Sequence, residues 1–284
     1  MPIEPSRAPA ASLRGVVRRY PSPSSSPTPS AIEALAGVDL DLPYGAVTAL
    51  LGVNGAGKTT LLRLLAGLLP PSAGELSILG CEQPAAASPR RSRALRRRLS
   101  YVSQELALDP EMTGRETLAL FATLNGVAWR ERGRRVDALA RAFGTLEPLA
   151  RPVAAWSGGQ KRRLHLAAGM LHDPELLLLD EPTAGLDVPG CDFLWAELAR
   201  RARAGAAVVV ATHDLAAAER QADFVVILDR GRVAAAGPPE ELAAGAAPPT
   251  LLAAFRRATG REPEPPAAGP GGVRGGGDGG GRRR

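Results

Sequence analysis

Gly52-Val53-Asn54-Gly55-Ala56-Gly57-Lys58-Thr59 lies between a short apolar run, Val47–Leu51, and a helical pattern, Thr59–Leu69, with Leu61, Leu62, Leu65 and Leu68 on one face. The spacing is G-x-x-x-x-G-K-[ST], and a strand before and a helix after are the context in which that spacing cradles phosphate. Glycines let consecutive backbone N–H groups curl around an anion. The following helix points its positive end at the same place. This segment commits the chain to a buried parallel strand feeding a helix, and so to an α/β sheet. Lys58 is expected to reach the β- and γ-phosphates, and the Thr59 hydroxyl to ligate Mg²⁺. Only two of the 35 basic residues are lysine, Lys58 and Lys161. In a chain so biased to arginine, Lys58 stands inside the glycine-rich loop, where a compact ammonium fits and a planar guanidinium does not.

A second anion-binding element follows. Ser157-Gly158-Gly159-Gln160 opens a helical stretch, Lys161–Leu171, and such a start presents free N–H donors. The apolar run Leu176–Leu179 then ends in Asp180 and Glu181. Ionised carboxylates at a strand's C-terminal edge belong in a cleft. Asp180 is suited to hold Mg²⁺ through water, and Glu181 to orient or deprotonate an attacking water. Residues 13–20 and 32–51 read as strands, with Val38, Leu40 and Leu42 on one face, and Ala206–Ala211 and Phe224–Leu228 as buried strands. Residues 85–155 are Ala/Arg/Leu-rich and mostly helical in pattern. Residues 1–11 and the Pro/Ser/Thr stretch 21–30 are expected to be flexible, and the Gly/Arg-rich segment 261–284 a disordered tail.

The net charge of +6 is concentrated in the flanks: +3 falls in residues 1–30 and +2 in 261–284. The remainder is nearly neutral, so no nucleic-acid partner is expected. The dense cluster of Arg90, Arg91, Arg93, Arg96, Arg97 and Arg98 reads as a solvated helix face, with phospholipid head groups or an acidic partner as the alternative. Cys81 and Cys191 make neither a disulfide framework nor a zinc site. No run of about 18 apolar residues suggests a bilayer span. The first ten residues have no secretory h-region. The expected compartment is the cytoplasm.

The chain resembles the nucleotide-binding subunit of ABC transporters in six segments that follow the family's order. Residues 52–60, from Gly52 to Thr60, resemble the Walker A motif, and Gln104 in Tyr101-Val102-Ser103-Gln104 the Q-loop. Ser157–Gln160 is similar to the signature motif, and Leu176–Glu181 to Walker B with its catalytic glutamate. Ala184-Gly185-Leu186-Asp187 resembles the D-loop, and His213 in Ala211-Thr212-His213-Asp214 the switch histidine. Trp156 stands where leucine is usual, and Val53 where proline is common. The resemblance covers about residues 12–245. It implies a P-loop NTPase core, a mixed sheet flanked by helices, with an antiparallel β subdomain and an α-helical subdomain inserted at about 85–170.

The resemblance also implies the chemistry. ATP would bind Gly52, Asn54, Gly55, Ala56, Gly57, Lys58, Thr59 and Thr60 of one copy, and be capped by Ser157, Gly158, Gly159 and Gln160 of a second, with Asp187 at the same interface. Tyr20, ending the first apparent strand, would stack on adenine. Glu181, His213 and Gln104 would be catalytic, and Thr59, Gln104 and Asp180 would serve the Mg²⁺. The partner would be a separate transmembrane permease, which would hold the subunit on the inner face of the membrane. The segment after Gln104 looks like those of ATPases serving ABC-2-type drug and metabolite exporters. Importer ATPases share every catalytic motif, and soluble ABC ATPases acting on ribosomes or DNA form a third class.

Overall fold

The computed structural model describes residues 8–21, 31–83 and 93–263. The expected flexible residues 1–7 and 22–30, the tail from 264, and Arg90, Arg91 and the side chains of Arg93 and Arg96 lie outside the described residues. An antiparallel sheet contains β1 (Ala11–Pro21), β2 (Ala31–Leu42), β4 (Ala73–Ile78) and β5 (Cys81–Glu82), in the order β2-β1-β4-β5. The second sheet contains β3 (Val47–Leu51), β6 (Leu99–Val102), β7 (Leu176–Asp180), β8 (Ala207–Ala211), β9 (Phe224–Asp229) and β10 (Arg232–Gly237), in the order β10-β9-β3-β8-β7-β6. Its strands pair in parallel except at the β9–β10 hairpin. The expected mixed sheet and separate antiparallel sheet are both present. Every residue of β3, β7 and β8 is buried, as a strand covered on both faces requires.

The helices are α1 (Lys58–Leu65), α2 (Arg93–Arg98), α3 (Gly114–Leu124), α4 (Trp129–Ala142), α5 (Gly158–Gly169), α6 (Val188–Arg203), α7 (Leu215–Gln221), α8 (Pro239–Ala244) and α9 (Leu251–Thr259). One core lies between the antiparallel sheet, α1 and one face of the large sheet. A second joins the other face to α3, α4, α5 and α6, and a smaller third seats Leu251 and Phe255 of α9 on β3 and β9.

Several elements depart from the sequence reading. Helix α1 ends at Leu65, ahead of Pro70: Gly67 takes φ +53°, and the N–H groups of Gly67 and Leu68 return to the carbonyls of Leu64 and Arg63. That is a Schellman stop, which acts before the prolines can. Strand β6 interrupts the region read as helical, because Leu99–Val102 pairs with Leu176–Leu179 of β7. Strands β4, β5 and β10 were not visible in the pattern. Packing begins at Ala10, buried beside β2, and continues past 245 through α9. Of the arginine cluster, Arg98 forms a paired contact with Glu175 at 2.7 and 3.0 Å, which departs from a purely solvated face.

Candidate nucleotide-binding site

The loop Gly52–Gly57 leaves the C-terminal end of β3 and enters α1 through Gly57, whose φ is +108°. Two of its glycines are forced by proximity. A Cβ on Gly52 would lie 2.5 Å from the Leu228 carbonyl of β9, and one on Gly57 would lie 2.6 Å from the Ala34 carbonyl of β2. The loop is thus pressed between the two sheets, and its backbone has no room for side chains there. Lys58 is largely buried, and its Nζ donates to the carbonyls of Gly52 at 2.6 Å and Val53 at 3.3 Å. These bonds hold the ammonium over the loop.

Both carboxylates come from the end of β7, which is separated from β3 by β8 in the same sheet. Asp180 ends β7, is buried, and accepts at Oδ2 from the Thr59 hydroxyl at 2.8 Å and from the Tyr101 hydroxyl at 3.4 Å. Burial and the neighbouring Asp180 raise the Tyr101 phenol above its ordinary value, so it stays a neutral donor. Glu181 takes φ +46°, a left-handed backbone that costs a non-glycine residue about 1 kcal/mol. Its N–H bonds the Ala211 carbonyl of β8 at 2.9 Å, and His213 Nδ1 lies 3.0 Å from its carboxylate.

A cleft of about 510 Å³ gathers Asn54, Gly55, Gly57, Lys58, Thr59, Thr60, Gln104, Asp180, Glu181 and His213, with Ala34 and Ala184. Gly52 and Ala56 belong to the same loop but are buried and do not line the cleft. Ser157, Gly158, Gly159 and Gln160 are not among the lining residues. They form the N-terminus of α5, where the Ser157 hydroxyl accepts from the Gln160 N–H at 3.2 Å and the Gln160 side chain accepts from the Ser157 N–H at 2.9 Å, a capping box. Asp187 is also outside the cleft. It is paired with Arg163, whose hydrogen bond holds the carboxyl below its usual range, and Gly190 leaves room for the pair. Tyr20 is half-buried on β1 beside Arg18, whose guanidinium lies 4.9 Å from its ring centre, and does not line the cleft either.

The family profile described as ABC transporter matches residues 35–184, a span that holds the loop, the capped α5 and both carboxylates. The chain belongs to the ABC transporter family. It is 39% identical over 203 residues to a daunorubicin resistance ATP-binding protein of Streptomyces coeruleorubidus, covering 72% of this chain and 63% of that one. It is 41% identical over 184 residues to a Nod factor export ATP-binding protein of Sinorhizobium fredii, covering 64% and 52%. The chain therefore spans between half and two thirds of these relatives. A solved ATP-binding subunit of an ABC transporter superposes with a TM-score of 0.75 at 29% identity, covering 88% of this chain and 99% of that one.

Two residues of this ABC chain escaped sequence reasoning. Arg162, on the second turn of α5, is buried, and its guanidinium donates to the carbonyls of Pro182, Ser103, Gln104, Asp180 and Glu181. Burial lowers its pKa, offset in part by Asp180 and Glu181. Nothing in Lys161-Arg162-Arg163 distinguishes it, because arginine is the chain's default cation. Gly114, at the start of α3, is the second. A Cβ there would lie 2.5 Å from the Trp156 ring, whose Nε1 donates to the Arg151 carbonyl at 3.2 Å. The missing side chain of Gly114 is what admits tryptophan before Ser157.

Proposed function

We propose that this ABC protein binds and hydrolyses ATP in the cleft at the edge of β3, β7 and β8, as one of two copies that together drive export through a separate membrane-embedded permease. The observation that carries the reading is a division. One chain gathers Lys58, Thr59, Gln104, Asp180, Glu181 and His213 into one cleft, while its capped Ser157–Gln160 turn lies outside it. A second copy can supply that turn to the open side of the site. The names of the relatives, drug resistance and Nod factor export, favour export. Among the described residues no helix is long and apolar enough to cross a membrane.

In this reading the loop N–H groups and the Lys58 ammonium bind the β- and γ-phosphates. Glu181 accepts the proton of the attacking water, with His213 at 3.0 Å orienting its carboxylate. Thr59 and Asp180 present hard oxygens side by side at the cleft floor, the donor chemistry that suits Mg²⁺. Bound there, Mg²⁺ would neutralise charge on the phosphates. Gln104 reports the state of the site to the helical subdomain, and the D-loop Asp187 sits at the interface between copies. Tyr20 is the residue for adenine.

Glu181→Gln should bind ATP without hydrolysing it and accumulate as a dimer at millimolar ATP by size-exclusion chromatography. A variant that binds ATP yet stays monomeric would overturn the paired arrangement.

A further inference from the structure

We infer that Arg162 is a positioning residue for hydrolysis: it ties the signature helix α5 to the backbone segments that carry Gln104 and Glu181. The inference rests on the catalytic role proposed for Glu181. A guanidinium has five N–H donors in a fixed plane, and here each has a carbonyl. Nε donates to Pro182 at 3.1 Å; Nη1 to Ser103 at 3.1 Å and Gln104 at 3.0 Å; Nη2 to Asp180 at 3.1 Å and to Glu181. The residue is 3% exposed and forms no salt bridge among the described residues. A buried cation is tolerated when every donor is satisfied, and this one is satisfied by backbone alone.

The carbonyls belong to two segments at one sheet edge. Ser103 and Gln104 follow β6, and Asp180, Glu181 and Pro182 lie at the end of β7, its parallel neighbour. Three successive carbonyls face one cation across the left-handed Glu181. The Glu181 N–H is already fixed by Ala211, so Arg162 pins the other side of the same residue and thereby its aim at His213. Ser157 caps the helix that Arg162 grows from, five residues away. Any turn of α5 that repositions Ser157 therefore pulls directly on the backbone of Glu181 and Gln104. Lysine offers three donors and glutamine two, so neither fills the five acceptors. A neutral side chain also leaves converging carbonyls without a cation between them.

The test compares Arg162→Lys and Arg162→Gln with the wild type for ATP affinity and binding stoichiometry by calorimetry, and for kcat per competent site. None of the five bonds touches the phosphate loop, so ATP affinity should stay within twofold. Losses in kcat should be about tenfold for Lys and about a hundredfold for Gln, each tenfold step being about 1.4 kcal/mol of barrier. A Gln variant within twofold of wild-type kcat, a Lys variant no better than Gln, or affinity falling in step with kcat would each overturn the inference. If the Gln variant does not fold, the Lys variant decides alone, by whether its kcat drops at unchanged affinity. A wild-type chain that hydrolyses no ATP removes the functional reading and the inference with it. An active wild type with an equally active Gln variant removes the inference alone.

Discussion

Replacing His165 with leucine is expected to make the protein less sensitive to acid. His165 sits in α5, three residues after Arg162, and is 5% exposed. Its Nδ1 has no hydrogen-bond partner among the described residues. Burial, and then the charge of Arg162, lower its pKa from 6.5 to about 4. The unfolded chain takes up a proton near pH 6.5, while the folded chain resists until about pH 4. Between those values the unfolded state binds more protons, so stability falls as pH falls. The penalty is absent well above pH 6.5 and complete below about pH 4. Its full size is about 3 kcal/mol, of which about 2 kcal/mol is reached by pH 5, a substantial share of a typical domain's stability. His172, also held below its ordinary value mainly by burial, is present in both proteins and cancels. Urea unfolding of wild type and His165→Leu at pH 7 and pH 5 measures the difference. The variant should lose about 2 kcal/mol less on acidification. Equal losses in the two proteins would refute the argument that His165 stays neutral in the fold.

Lys58→Ala should weaken ATP binding by roughly 10- to 100-fold, the size of a lost charge-assisted contact; unchanged affinity by calorimetry would remove Lys58 from the site. Gly114→Ala should cost about 1–3 kcal/mol in urea unfolding, because the new methyl meets the Trp156 ring. Adding Trp156→Leu should recover most of that loss, and simple additivity of the two changes would show that the contact does not matter.

The parts of the fold legible in the sequence were those with a local cause. The phosphate loop was readable because its glycines, its lysine and the flanking apolar run must all be contiguous. Strands β7, β8 and β9 were readable because burial on both faces leaves uninterrupted aliphatic runs. Strands β4, β5 and β10 were hidden because their hairpin turns use unusual residues. Leu79-Gly80 and Arg230-Gly231 take φ +50°, +75°, +46° and +73°, where Asn or Asp at the first position would be the recognisable signal. Strand β6 is four residues long and rests on pairing with a segment far away in sequence, which no local period records. At the candidate site, Lys58, Thr59, Asp180 and Glu181 could be singled out because they lie in short motifs, whereas Gln104 stood out only through the family resemblance. Arg162 could not, since its meaning lies in five carbonyls from two distant loops, and backbone acceptors leave no trace in residue identity.

The nesting of Trp156 against Gly114 also equips the molecule with an optical reporter. Trp156 is 4% exposed, with its indole N–H tethered to the residue 151 carbonyl, one position before Ser157. Trp195 is equally enclosed in α6, while Trp129 stands 80% exposed and so open to an aqueous quencher. With Trp129 silenced by iodide, a change in emission on adding nucleotide would come from the two enclosed rings, and Trp195→Phe would leave one. The contact between the start of α3 and the residue preceding α5's cap could then be followed in real time in unlabelled protein.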